Sequence, residues 1–409
     1  MTHGFDLNDR LEQRDAQNLR RHLEVAESVS ARTRFADDPK GEPPEFGDEA
    51  VVFASNNYLG LADDSRVQRA AELGARTVGT GAGASRLVTG DTQVHRALER
   101  HLAASKGAER ALVFSSGYAA NIGTIDALSP DIVFSDELNH ASIIDGCRVG
   151  ASETVVYDHC DPDDLRAKMD TRAADVGGDE QWLVVTDSVF SMDGDIAPLS
   201  AICDAVDEYG AWLMIDEAHA TGLFGDTGGG VVQREGLSDR VDVQLGTLSK
   251  ALASQGGYIA GDEVLIEYLL NAARSFVFST GLSPPNAAAA REALRIARET
   301  DRAAELWDTV ATLRDGLETM GYEVLGETHI LPVVVGDRGD ALELADRLRD
   351  HGIVAPAIRP PTVPRAPLVS GSRRWRHTPP TTSRSVSTPS EPPVQRWACY
   401  ERYERGFGP

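Results

Sequence analysis

The chain has 409 residues, with 40 basic and 64 acidic side chains and a formal charge of −24. This length admits one large and one smaller domain, each with a sizeable core, while so acidic a surface repels nucleic acid and anionic membranes. No run of about 18 apolar residues predicts a transmembrane helix, and the opening MTHGFDLNDRLEQRDAQNLRRHLE is too charged for a signal peptide, so a cytoplasmic protein is expected. The cysteines, Cys147, Cys160, Cys203 and Cys399, are widely spaced without a CxxC pair. They read as buried or free thiols, with no disulfide framework and no metal site. Near-absence of lysine with an ordinary aliphatic content argues against disorder and for a halophilic protein, whose self-repulsion is screened by high salt.

In chain order, residues 6–30 are predicted as a polar amphipathic helix, an N-terminal helical arm within residues 1–50. From VVFAS (51–55) onward, apolar runs alternate with helical stretches: ALVFSS (111–116), DIVFSD (131–136), ETVVYD (153–158), WLVVTDS (182–188), AWLMIDE (211–217) and VDVQLGT (241–247). Apolar strands flanked by helices predict an α/β fold with a mostly parallel, doubly wound sheet in a large domain, 51–285. AAAAREALRIARE, AAELWDTVATLRDGLETM and ALELADRLRDHG predict helices around the strand ILPVVVGD, in a smaller C-terminal α+β domain, 286–364. Residues 365–409 form a basic tail rich in Pro, Ser and Arg, with neither helical nor strand periodicity.

Lysine occurs only at 40, 106, 168 and 250; the other basic residues are arginine. Lys250 follows VDVQLG and sits among small residues. Lysine, unlike arginine, loses its proton when desolvated and becomes an amine nucleophile, which points to a carbonyl partner. In open α/β sheets ligands bind beyond the carboxyl ends of the strands. At those ends stand Ser115, Ser116, Gly117 and Tyr118; Ser135, Asp136 and His140; Thr186, Asp187, Ser188 and Ser191; Asp216, Glu217 and His219; and Thr247, Ser249 and Lys250.

Pyridoxal phosphate suits this set. Its aldehyde takes an amine, Lys250. A buried carboxylate, Asp216, would keep its pyridine nitrogen protonated, His219 could donate to the ring hydroxyl, and His140 could stack on the ring. Backbone N–H groups and hydroxyls of Ser116, Gly117, Tyr118, Thr247 and Ser249 suit its phosphate at a helix start. Singly, each residue has a structural reading, Asp216 as a helix cap and the histidines as packed side chains; the ordered set is specific. GTGAGASRLVTG (79–90) lacks the Gly-Lys-Ser/Thr end of a nucleotide loop, and no acidic residue follows at dinucleotide spacing, so it reads as a tight loop near the site.

SNNYLGL (55–61), GASRLVTGDTQVHRALE (83–99), FSSGYAANIG (114–123), DELNHASIIDGCR (136–148), DSVFSMDGDIAPL (187–199), IDEAHATGLFG (215–225), GTLSKALASQGGYIAG (246–261) and RSFVFSTGLSPP (274–285) resemble the α-oxoamine synthases, fold-type I pyridoxal phosphate enzymes. The likeness covers about residues 10–364. It implies Lys250 as the Schiff-base lysine and later the base for the amino acid's α-proton, Asp216 on the pyridine nitrogen, His219 on the ring hydroxyl and His140 on the ring face. It implies Gly117, Tyr118, Ser191 and Thr247 as cofactor contacts and Asn56 near the amino-acid substrate. Ser279 and Thr280 would reach the neighbouring subunit's phosphate, implying a homodimer with shared active sites. Arg21 (or Arg20) and Thr362 match acyl-CoA or product contacts.

The implied reaction is a decarboxylative condensation of an amino acid with an acyl-CoA or acyl carrier protein. IRPPTVP (358–364) and ARSFVFSTGLSPP look most like the branch that joins L-alanine to pimeloyl-CoA or pimeloyl carrier protein, giving 8-amino-7-oxononanoate for biotin biosynthesis. The branch joining glycine to acetyl-CoA, giving 2-amino-3-oxobutanoate without net decarboxylation, is the alternative. After Pro364 the family's Arg-x-Arg pair, strand, Ala-x-His and last helix are missing. A frameshift near codon 365 would account for this. Arg359 is then the nearby candidate for the substrate carboxylate, and a protein that binds the cofactor but turns over poorly is a further reading.

Overall fold

Strands buried on both faces need apolar residues at nearly every position, and the runs ALVF, IVF, LVV, LMI and VQL meet that need. The computed structural model describes residues 4–17, 19–21, 23–38, 41, 43–151, 153–175, 178–336, 338–358 and 396–401. In chain order its elements are α1 (Leu7–Ala16), β1 (Arg32–Asp38), β2 (Glu45–Val52), α2 (Ser65–Thr77), α3 (Gln93–Lys106), β3 (Arg110–Phe114), α4 (Gly117–Leu128), β4 (Ile132–Asp136), α5 (Ala141–Gly150), β5 (Glu153–Tyr157), α6 (Pro162–Asp175), β6 (Trp182–Asp187), α7 (Leu199–Tyr209) and β7 (Trp212–Asp216). There follow α8 (Val231–Arg234), β8 (Val243–Thr247), β9 (Gly257–Gly261), α9 (Glu263–Ala272), α10 (Arg274–Val277), α11 (Pro284–Glu299), α12 (Arg302–Thr319), β10 (Glu323–Val324), β11 (Ile330–Gly336), α13 (Arg338–Asp350), β12 (Ile353–Val354) and β13 (Arg396–Glu401).

The central sheet has seven strands in the order β3-β9-β8-β7-β6-β4-β5, all parallel except β9. Because strand side chains alternate in direction, two cores form. Leu112, Val133, Val185, Met214 and Leu245 pack with Ile125, Ile143 and Leu269 of α4, α5 and α9. Val113, Phe134, Val184, Ile215 and Tyr258 pack with Leu98, Ile202 and Leu294 of α3, α7 and α11. The expected mostly parallel, doubly wound sheet is present. Strand β9 was hidden by its glycines. A Cβ on Gly257 would lie 2.5 Å from the Gly117 backbone, so glycine lets β9 pass the start of α4.

Two three-stranded sheets, β1-β2-β12 and β10-β11-β13, complete the architecture, and they correct two expectations. The helix expected over 6–30 is only ten residues long, with no buried side chain. Without an apolar stripe there is nothing to extend it by packing. Instead β1 and β2 form an antiparallel pair, and Val51 and Val52 of the VVFAS run pair with Ile353 and Val354, outside the central sheet. The tail, expected to lack strands, contributes β13, which runs parallel to β11 with Ile330 opposite Arg396. Without this strand the second edge of β11 would leave backbone groups unpaired, and the segment RWACYE carries the strand formers Trp and Tyr. Among the described residues no helix is long and apolar enough to cross a membrane.

Candidate active site

Lys250 lies just past β8, on a turn closed by the Ala253 N–H donating to the Lys250 carbonyl at 2.9 Å. Ala253 takes the left-handed conformation there, φ 51°. Lys250 Nζ sits 2.6 Å from His219 Nε2, and His219 Nδ1 sits 2.8 Å from the Tyr58 hydroxyl. That hydroxyl donates to Asn56 Oδ1 at 3.1 Å. A phenol has one proton. With it given to Asn56, the Tyr58 oxygen accepts from His219 Nδ1–H, and Nε2 is left to accept from Lys250. The residues Asn56, His219 and Lys250, picked out separately in the sequence, are thus one hydrogen-bonded chain with Tyr58 as the missing link.

A second chain starts at Asp216, the buried last residue of β7. Its Oδ2 accepts from Asn121 Nδ2 at 2.8 Å, and the same nitrogen donates to Ser142 Oγ at 2.9 Å. Ser142 Oγ lies 2.7 Å from His140 Nδ1, and the His140 backbone N–H donates to Asp187 Oδ2 at 2.9 Å. Asp187 pairs in register with Asp216 on the neighbouring strand. Burial, then the Asp216 charge, pushes the Asp187 carboxyl well above the usual carboxylate range. Beneath this turn Glu217 and Lys106 form a buried ion pair at 2.5 Å, and Lys106 also donates to the Gly229 carbonyl. Burial works against the Lys106 charge, but the Glu217 carboxylate outweighs it and holds the ammonium above its ordinary range.

The third group is a cradle at the start of α4. Ser116 caps this helix through its side chain, accepting from the Ala119 N–H at 3.0 Å. The first N–H groups of a helix have no partner within it. Thr247 Oγ1 donates to the Gly256 carbonyl at 3.0 Å and lies 3.3 Å from Ser249 Oγ, and a Cβ on Gly117 would meet Thr247 at 3.6 Å. The Tyr118 phenol turns away to Asp145 Oδ2, 2.6 Å distant. Ser191 stands half-buried on the turn after β6, and Ser279 and Thr280 lie after α10, with Thr280 exposed. The loop GTGAGASRLVTG folds against that last segment, for the Gly281 N–H donates to the Ala84 carbonyl at 3.0 Å. Arg21 is exposed and Arg20 pairs with Asp15 at 2.6 Å. Arg359 and Thr362 lie outside the described residues.

Tyr58, Asn121, Ser142 and Asp187 were not assigned roles from sequence. Asn121 is one helical turn after Gly117, and Asp187 is a strand end like Asp216, so spacing could have found both. A cavity of about 660 Å³ lies at the opposite, amino edge of the sheet, beside Trp182, Tyr209, Trp212 and Tyr268, away from all of this chemistry.

The site fits pyridoxal phosphate on its own geometry. An amine, a buried carboxylate and an imidazole converge at the carboxyl edge, beside a glycine-lined start of a 12-residue helix. Buried Asn121 Oδ1, next to Asp216, has no hydrogen-bond partner among the described residues. Such a fold and site define a fold-type I pyridoxal phosphate enzyme. The model of the aminotransferase class I and II family matches residues 48–386, past Pro364, where the likeness read from sequence ends. The 8-amino-7-oxononanoate synthase of Lysinibacillus sphaericus is 44% identical over 88% of this chain and 92% of its own length. That of Geobacter sulfurreducens is 47% identical over 78% and 82%. Serine palmitoyltransferase of Sphingomonas wittichii superposes with a TM-score of 0.79 at 32% identity, covering 88% of both chains. The chain belongs to the class I and II aminotransferase family and, within it, to the α-oxoamine synthases.

Proposed function

We propose that this chain condenses L-alanine with pimeloyl-CoA, or with pimeloyl carrier protein, to give 8-amino-7-oxononanoate for biotin biosynthesis in the cytoplasm, releasing carbon dioxide and the free thiol of CoA or of the carrier. The observation that carries the reading is the Lys250–His219–Tyr58–Asn56 chain beside buried Asp216, in a chain 44% identical to a synthase of that name. Bound pyridoxal phosphate supplies an electron sink for the electrons of a broken bond at the amino acid's Cα. Asp216 would pair with its ring nitrogen and His140 would lie against the ring. The N–H groups of Gly117 and Tyr118, with Ser116, Ser191, Thr247 and Ser249, would hold its phosphate.

Lys250 Nζ takes the α-proton and later returns it. His219, 2.6 Å from Lys250 Nζ, steadies the amine in reach of that carbon. Asn56, at the exposed end of the chain of bonds, faces the incoming amino acid. Thr280 and Phe278 are exposed in one copy, which supports a homodimer in which this segment completes the neighbour's phosphate site. Arg21, Arg359 and Thr362 remain the candidates for the acyl substrate and the carboxylate.

The experiment is a visible-absorbance titration of the protein with its cofactor in high salt, with L-alanine and then glycine. A band that shifts at low L-alanine, with product formed from pimeloyl-CoA and no product from Lys250→Ala, is expected. A response to glycine alone, with acetyl-CoA as acyl donor, would move the assignment to the glycine branch. A band that ignores both amino acids would favour the impaired enzyme with an altered C-terminus. Resequencing the source DNA around codon 365 tests the frameshift.

A further inference from the structure

Beside the site, at the ends of β4 and β5, Asp136, His159 and Cys160 bring their ligand atoms within 4.8 Å of one another. His159 Nδ1 is 3.0 Å from Asp136 Oδ1, which fixes the ring and aims Nε2 away from that carboxylate. Nε2 lies 3.5 Å from Cys160 Sγ and 3.5 Å from Asp195 Oδ2, which arrives on the loop after β6. Zinc binds at about 2.0–2.1 Å to histidine nitrogen, about 2.3 Å to thiolate and about 2.0–2.2 Å to carboxylate, with tetrahedral angles. Those lengths put nitrogen and sulfur about 3.5 Å apart and nitrogen and oxygen about 3.3–3.5 Å apart, matching the two separations from His159 Nε2; Asp195 lies outside the group that is mutually within 4.8 Å, so its carboxylate would swing toward Cys160 on binding. The carboxylate–imidazole pair behind the ligating nitrogen is the usual support of a metal-bound histidine.

Adjacent residues seldom aim two donors at one point. Here Cys160 does so by taking the left-handed conformation, φ 54°, one of three non-glycine residues with positive φ among those described. Its backbone N–H donates to Asp136 Oδ2 at 2.8 Å, which locks that turn. The Phe190 ring closes one side, edge-on to His159 with centroids 4.3 Å apart. Asp195 is 44% exposed and leaves a path to solvent.

We propose that His159, Cys160 and Asp195 form a binding site for a zinc-class divalent transition metal, with Asp136 as its orienting carboxylate and a fourth position open to water. Thiolate and imidazole select such an ion over magnesium or calcium. The site is a clamp. It ties the turn after β5 and the loop after β6 to the end of β4, four residues before His140. Cysteine spacing alone excluded a metal site because two of the carboxylates come from distant parts of the chain.

The test uses the holoenzyme, stripped of metal with a chelator, desalted and titrated with cobalt(II). Difference spectra against the same holoenzyme without metal remove the cofactor's own absorbance. A thiolate-to-cobalt charge-transfer band saturating at one equivalent per chain, and bleached by zinc, is expected. Asp195→Asn should weaken cobalt binding by about 10-fold or more, and Cys399→Ser should leave it unchanged. No band, a band that survives Cys160→Ser, or one lost in Cys399→Ser overturns the site. The cluster would then be an imidazolium held between two carboxylates.

Discussion

Tyr58 decides how His219 meets Lys250. Its hydroxyl gives its proton to Asn56 and so obliges His219 to present an unprotonated Nε2 to the amine. Tyr58→Phe removes that obligation. His219 then either buries an unsatisfied Nδ1–H or switches tautomer and turns a donor toward Lys250, which disfavours the ammonium form. An unsatisfied buried donor costs about 1–3 kcal/mol, so turnover should fall by about 5–150-fold. Steady-state kinetics checks this, and unchanged turnover would mean that Tyr58 only packs. The scarcity of lysine led to Lys250, yet it marks Lys106 equally well. Lys106 is fully buried but serves as a strut, paired with Glu217 under the Asp216–His219 turn. Of the described lysines only Lys106 is fully buried, so rarity alone does not separate them; the neighbours single out Lys250 as the candidate nucleophile.

Helix α3 holds the segment that carries Ser279 and Thr280 through His95. The ring nitrogen Nε2 lies 2.6 Å from the Leu282 carbonyl, so it is the protonated one. Nδ1 then accepts from the Thr92 N–H at 3.3 Å, capping the helix. Burial, then the Arg86 charge, lowers the His95 pKa from 6.5. A histidine depressed in the fold contributes stability above its unfolded pKa, and that contribution is lost as pH falls toward the folded value. Thermal stability should therefore decline as pH drops below about 6.5, and His95→Gln, which keeps a side-chain acceptor at the cap without titrating there, should flatten that slope. Melting curves from pH 5 to 8 decide it; equal slopes in both proteins would remove His95 from the account. The central strands were legible because buried parallel strands leave an unbroken apolar run. The β1–β2 pair was not, because its partner β12 lies some 300 residues on in the chain, and half-exposed strands leave only weak alternation.

The molecule as a whole is governed by its charge. The strand-end rule picked out the candidate site without knowledge of the strand order, since every carboxyl end of a parallel sheet faces one crevice. The connection through Tyr58 was out of reach, because it joins residues 161 positions apart. The charge of −24, in contrast, is fully visible in sequence and has a consequence for stability. Like charges about 10 Å apart in water repel by about 0.4 kcal/mol, and the excess of acids sums to a few kcal/mol against the compact state at low ionic strength. Salt also weakens attractive surface pairs such as Arg240 with Asp204 and Asp207 and Arg295 with Glu292 and Glu299. Exposed pairs are each worth only about 0.2–1 kcal/mol, and each arginine is outnumbered by carboxylates, so relief of repulsion wins. Raising salt from about 0.01 M to 1 M shrinks the screening length from about 30 Å to about 3 Å. At roughly 1 °C per kcal/mol for a chain of this length, the melting midpoint should climb by about 2–5 °C between dilute buffer and molar potassium chloride. A midpoint that falls or stays level over that range would show that local ion pairs, and not net charge, set the stability of this protein.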